Sequence, residues 1–167
     1  EKQILKPINL YGLAKMCQTT LALSYCKKGL DIVVGRIFNI TGWGTPCNLS
    51  AGKFAYEISL IENRLKDAIV ETGDLSSRRD YIDIQDVCSA LVAIAERGKK
   101  GNVYNICSEK SYKTENILNY LLKLSNLKKV KIKMPRHFDL EIKSIIGSNR
   151  KLQKDTEWKP EISILES

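Results

Sequence analysis

Tyr11 and Lys15 stand four positions apart in the stretch YGLAK. On a helix, residues at that spacing share one face, one turn apart. An ammonium beside a phenol favours the phenolate and lowers the tyrosine's pKa, which suits tyrosine to proton transfer near neutral pH. The same ammonium can donate hydrogen bonds to sugar hydroxyls. Tyr-x-x-x-Lys is equally an ordinary turn of an amphipathic helix, and the pair alone does not separate the two. The other reactive residue types offer less. Five cysteines (Cys17, Cys26, Cys47, Cys88 and Cys107) form no CxxC, and four of them fall in apolar helix or strand contexts, so buried free thiols in a reducing cytosol are expected. A single histidine, His137, argues against a zinc site.

The elements that must position Tyr11 and Lys15 follow from periodicity. Residues 9–28 read as a helix, with Leu13, Met16, Cys17, Thr20, Leu21 and Ser24 at helical spacing and Gly29 as a C-cap. DIVVGRIFN (31–39) reads as a buried strand, and TGWGTP (41–46) as a turn. A helix is expected over 50–65 through Phe54, Ile58 and Ile61, then a short strand over 68–71. GDLSSRRD (73–80) reads as a polar loop ending in two arginines. A short extended piece and a helix follow, capped by Asp83 or Gln85, with Val87, Leu91 and Ile94 as the buried stripe. NVYNIC (102–107) is a second buried strand. Residues 114–126 form an amphipathic helix with Thr114 as N-cap, KKVKIKM is strand-like, and 149–158 is a short helix. Helix and strand alternate throughout, which predicts an α/β protein with mostly parallel strands.

At 167 residues the chain can bury one domain core or two small lobes. Its net charge of +8 invites nucleic acid, but the lysines are scattered among acids, and the densest cluster, 128–133, alternates with apolar residues as a solvated strand face does. A preference for anionic small molecules fits the same charge, and nucleic acid is not expected as a partner. No apolar run approaches a membrane span, so no membrane partner is expected either. EKQILKPINL has no secretory core and no initiator Met, so the chain is expected to begin inside a longer protein.

Five motifs occur in a fixed order. They are Pro7, Tyr11 and Lys15; Arg36, Phe38, Asn39, Gly42 and Gly44; Arg79 to Asp83 with Asp86 and Val87; Gly101 to Ile106; and Lys151, Leu152, Trp158 and Pro160. Together they resemble the C-terminal half of the extended short-chain dehydrogenase/reductases, the NAD-dependent epimerase/dehydratase family. Within it the sequence looks most like the GDP-mannose 4,6-dehydratase and GDP-4-keto-6-deoxymannose reductase branch. RRDYIDIQDV is closer to the reductase, whose dehydratase relative usually carries Trp-Gly-His where Tyr81, Ile82 and Asp83 stand.

The resemblance implies the second half of a Rossmann-type doubly wound parallel sheet plus a small α/β substrate-binding lobe, with the N-terminal glycine-rich half absent. Residues 1–47 and 81–107 would be the remainder of the dinucleotide-binding domain, and 48–80 and 108–167 the lobe. It implies an NAD(P)-dependent oxidoreductase of a nucleotide-diphosphate sugar, using NADP or NAD, in the cytoplasm. The expected reaction is 4-keto reduction of a GDP-4-keto-6-deoxy-hexose. A 4,6-dehydratase, a 4-epimerase and an inactive fragment that at most binds a nucleotide sugar stand as alternatives. Tyr11 would be the proton donor, and Lys15 would bind the nicotinamide ribose and support it. Asn39 and Arg79 would contact the diphosphate. A loop guanidinium that forks onto phosphate suits the second role, although Arg79 could instead pair with Asp80 or Asp83, and Asn39 could cap the turn after it. Arg36, mid-strand, reads as structural. Arg136 and Glu141 would reach the nucleotide, in a stretch that departs from the family's Arg-Pro-x-Glu by placing Phe138 and Asp139 at the Arg and Pro positions. Gly42, Trp43 and Gly44 depart from a Gly-Pro-Gly. The family's glycine-rich phosphate loop and its catalytic Ser/Thr have no counterpart here. A homodimer through helix 9–28 would also follow from the resemblance.

Overall fold

The computed structural model describes residues 1, 3–134 and 142–167. Asn9 opens the first helix by accepting a hydrogen bond from the Gly12 amide at 2.8 Å, and α1 runs Leu10–Cys26. None of its residues is buried, and Leu10, Leu13 and Leu21 are all exposed. The expected strand 31–39 becomes two pieces, β1 (Val34–Ile37) and β2 (Asn39–Thr41), separated by Phe38. The break marks a change of partner. β1 pairs in parallel with β5 (Val103–Ile106), whereas β2 pairs in parallel with β4 (Arg78–Asp83).

The two arginines of RRD are strand residues and not the end of a loop. β4 takes them up because β6 (Ser111–Lys113) pairs antiparallel with it, Arg78 opposite Lys113 and Arg79 opposite Tyr112. Asp83 caps α3 (Ile84–Arg97) by accepting from the Gln85 amide at 2.7 Å. Val87, Ala90 and Ile94 are buried along α3, but Leu91 is exposed. These residues join Ile82, Tyr104, Ile106, Leu152 and Trp158 in one core, with α5 (Arg150–Thr156) as its outer cover.

A second core forms where α2 (Ser50–Glu62) meets α4 (Thr114–Leu124) and β3 (Ile69–Glu71), the last paired in parallel with β7 (Lys131–Lys133). Phe54, Ile58 and Ile61 share one helical face and pack with Val70, Leu75 and Leu118. Each such side chain stabilises the fold by roughly 1.5–3 kcal/mol when buried. Thr114 does not cap α4. It is the first helical residue, and its hydroxyl lies 2.9 Å from that of Ser77, tying α4 to the approach to β4. Asp86 is buried, and its carboxylate accepts from the amides of Glu161 and Ile162, which fastens the tail to α3. Among the described residues, no helix is long and apolar enough to cross a membrane, and no cluster of potential metal ligands occurs.

The cysteines depart from expectation. All five are free, but only Cys107 is buried, while Cys17, Cys47 and Cys88 are exposed. Cys17 lies on α1, which buries nothing, and Cys88 sits one residue past buried Val87 and so turns away from the core. Burial, helped by the nearby Asp80 carboxylate, pushes the Cys107 thiol up to about 12. Alkylation of the native chain at about pH 8, followed by mass spectrometry, is expected to modify Cys17, Cys47 and Cys88 and to spare Cys107 until the protein is denatured.

Candidate active site

α1 places Tyr11 and Lys15 in one cleft of about 660 Å³ between itself and β1. The Lys15 ammonium lies 5.7 Å from the centre of the Tyr11 ring and donates to the Gln18 side chain at 3.2 Å. It rests against the ring face, and the Tyr11 side of the cleft is open to solvent. Gln18, Thr19, Arg36 and Phe38 also line this space. Among the described residues, Lys15 and Arg36 are the charged groups that line it, so their field favours anions.

Arg36 and Phe38 also border an adjoining cavity of about 810 Å³, whose far wall is Ile146, Gly147 and Ser148. The cavities meet where the strand changes partner from β5 to β4. Divergence of strands opens this kind of crevice in α/β sheets. Arg36 is half-buried at the junction and takes part in none of the salt bridges among the described residues. Its position between the two spaces was not legible from its place in mid-strand.

Asn39 is the exposed first residue of β2, between Phe38 and Ile40, both of which line the α1 cleft. The turn after it is closed by Thr45, whose amide and hydroxyl both donate to the Gly42 carbonyl, so Asn39 is not spent on capping it. Arg79 lies on the same sheet face, in register near Tyr81, which is opposite Asn39. It pairs with neither Asp80 nor Asp83. Asp80, the adjacent strand residue, points to the opposite face, and Asp83 lies roughly 13 Å further along the strand. Arg79 instead donates to the Arg78 carbonyl at 2.9 Å and the Ile142 carbonyl at 3.1 Å. Among the described residues, these two carbonyls are the acceptors of its five N–H groups. The structure thus brings Tyr11 and Lys15 together, sets Asn39 beside their cleft, and puts Arg79 on the next strand. Arg136 and Glu141, with His137, lie outside the described residues.

Sequence reasoning missed Asp80 as an organiser. This carboxylate is fully buried and accepts four hydrogen bonds, from the Ser108 amide and hydroxyl, the Glu109 amide and the Gly147 amide. It joins β4 to the β5–β6 connection and to the cavity wall.

The signature of the NAD dependent epimerase/dehydratase family matches residues 1–107. The chain belongs to that family. Two similar epimerase/dehydratase relatives are a GDP-6-deoxy-D-mannose reductase of Pseudomonas aeruginosa, 31% identical over all of this chain and 56% of its own length, and a GDP-6-deoxy-D-talose 4-dehydrogenase of Aggregatibacter actinomycetemcomitans, 30% identical over 88% of this chain and 48% of its own. Among solved structures, RMD from Pseudomonas aeruginosa complexed with NADPH superposes with a TM-score of 0.94 at 30% identity, covering 100% of this chain and 56% of that one. The epimerase/dehydratase chain described here therefore spans about half the length of the relatives it matches. Its mixed α/β architecture with parallel strand pairs is that of the corresponding half of these Rossmann-type enzymes.

Proposed function

We propose that the protein carrying these residues is an NAD(P)-dependent nucleotide-sugar oxidoreductase that reduces the 4-keto group of a GDP-4-keto-6-deoxy-hexose. The observation that carries this reading is the Tyr11–Lys15 pair, one helical turn apart in a cleft that it shares with Arg36 and that opens at a strand divergence. Similarity to a reductase along the whole chain supports reduction over dehydration. The nicotinamide cofactor supplies a hydride to C4 when bound. Tyr11 Oη then gives its proton to the keto oxygen, leaving a C4 hydroxyl. Lys15 donates to the cofactor's ribose hydroxyls and keeps positive charge beside the phenolate. Arg79 forks onto the diphosphate and Asn39 donates to it from the same sheet face. Arg136 and Glu141 complete the nucleotide contacts in this reading.

Residues 1–47 and 81–107 form the dinucleotide side and 48–80 and 108–167 the substrate side, with Leu152 and Trp158 crossing to pack on the first core. Exposed Leu10, Leu13 and Leu21 on α1 support a homodimer contact there. Free thiols at Cys17, Cys47 and Cys88 support a reducing, cytoplasmic setting. The test is an assay of the full-length protein with NADPH and GDP-4-keto-6-deoxymannose, followed by loss of reduced nicotinamide. Stoichiometric oxidation is the expected result. Conversion of GDP-mannose with no net NADPH consumption, and no reduction of the keto sugar, would move the assignment to dehydration.

A further inference from the structure

Among the described residues, three that are not glycine take a left-handed backbone: Arg64 (φ 58°), Glu109 (φ 61°) and Glu157 (φ 61°). Arg64 and Glu157 sit just past the ends of α2 and α5, where a left-handed residue commonly stops a helix. Glu109 stops no helix. It lies between β5 and β6, at a conformation that glycine adopts without strain. Such an outlier persists where its surroundings over-determine it.

The surroundings of Glu109 are specific. Its Oε1 accepts from the Ser148 hydroxyl at 2.7 Å and from the Asn149 amide at 2.9 Å. Its own amide donates to Asp80 Oδ2 at 3.1 Å, and that same oxygen accepts from the Gly147 amide at 3.1 Å. Residues 147–149 are therefore held twice, directly by the Glu109 carboxylate and indirectly through Asp80. The stretch before them is laid along β4, with the Arg78 amide donating to Lys143, the Ile145 amide to Arg78, and the Arg79 guanidinium to Ile142. Gly147 also has no slack: a Cβ there would fall 2.5 Å from Cys107 Sγ and 2.7 Å from the Phe38 ring. Ile146, Gly147 and Ser148, a wall of the larger cavity opposite Arg36, are thus pinned from behind by Glu109.

We propose that Glu109 is a positioning residue for the nucleotide-sugar site, fixing residues 146–148 as the wall of the cavity that holds an anionic nucleotide beside Arg36 and Lys6. This rests on the reading of the site given under Proposed function. Glycine at this position would relieve the backbone and remove the grip, which separates the two roles.

The test uses the 167-residue chain with Glu109→Gly and Glu109→Gln, read by amide hydrogen exchange over 142–149, by titration with GDP and by urea unfolding. Glu109→Gly is expected to speed exchange at Asn149 and its neighbours at least about tenfold and to weaken GDP binding about tenfold, with the unfolding midpoint unchanged or raised. Glu109→Gln keeps an oxygen that accepts both bonds and is expected to restore wild-type exchange and affinity. Wild-type exchange in Glu109→Gly overturns the grip. Faster exchange with unchanged GDP affinity overturns the positioning role. A fall in midpoint that accounts for the whole loss of affinity reduces Glu109 to a structural residue. A wild-type chain that does not bind GDP sinks the nucleotide reading instead, and the exchange measurement still decides the grip.

Discussion

Tyr11→Phe, placed in a full-length protein that joins these residues to a dinucleotide-binding half, is expected to lower turnover of the 4-keto sugar by roughly 10²–10⁴-fold, the span a positioned proton donor contributes. The substitution removes one hydroxyl from a side chain that is mostly exposed and in no core, so stability is expected to hold. Binding of the nucleotide sugar is expected to change by no more than about twofold, because a group that acts on the developing alkoxide contributes to the transition state and not to the ground state. Steady-state kinetics with NADPH, set beside a direct titration of the sugar nucleotide, separates the two. Turnover within about threefold of wild type would remove Tyr11 from the donor role and leave YGLAK as a helix turn.

Asp80→Ala is expected to be the most damaging single change to the fold, costing about 3–5 kcal/mol. The carboxylate is completely buried, and three of its four donors are backbone amides. Those amides belong to Ser108, Glu109 and Gly147, which this one carboxylate fastens to β4. Removing the acceptor leaves them orphaned in the interior, where each unsatisfied group costs about 1–3 kcal/mol. Urea unfolding should show a much lower midpoint at an unchanged slope. A loss below about 1 kcal/mol would mean that the three amides find other partners, and the role assigned to Asp80 would fall. Asp80→Ala unfastens the fold, whereas Glu109→Gly unfastens a wall within it.

The local parts of this structure were legible. NVYNIC and the helices at 50, 84 and 114 announce themselves because their apolar spacing is dictated by the element they form. The cap of α3 was readable to within Asp83 or Gln85, because capping acts over two or three residues, and the structure assigns it to Asp83. What escaped was set by distant contact. RRD carries three charges in a row and reads as solvated, yet β6 draws Arg78 and Arg79 into a sheet from 33 residues away, and Asp80 is buried by donors 28 to 67 positions removed. The exposed thiols were misread for a related reason. Apolar spacing in α1 states which residues share a face, but not whether anything covers that face. Tyr11 and Lys15 were the easy part of the site, since a helix alone sets their spacing. Arg36 became interesting only once the strand's change of partner was visible, and Glu109 only once its backbone was.

The helix that carries Tyr11 and Lys15 belongs to neither core. α1 buries no residue and β1 is its neighbour, so within these residues its placement has little free energy behind it. A cover on α1 would add the missing free energy and fix the orientation of Tyr11 and Lys15 as it did so. Thermodynamic linkage then works in both directions. A cover that orders the helix raises the affinity of the cleft for its ligand, and a ligand seated between Lys15 and Arg36 raises the affinity of the helix for its cover by the same factor.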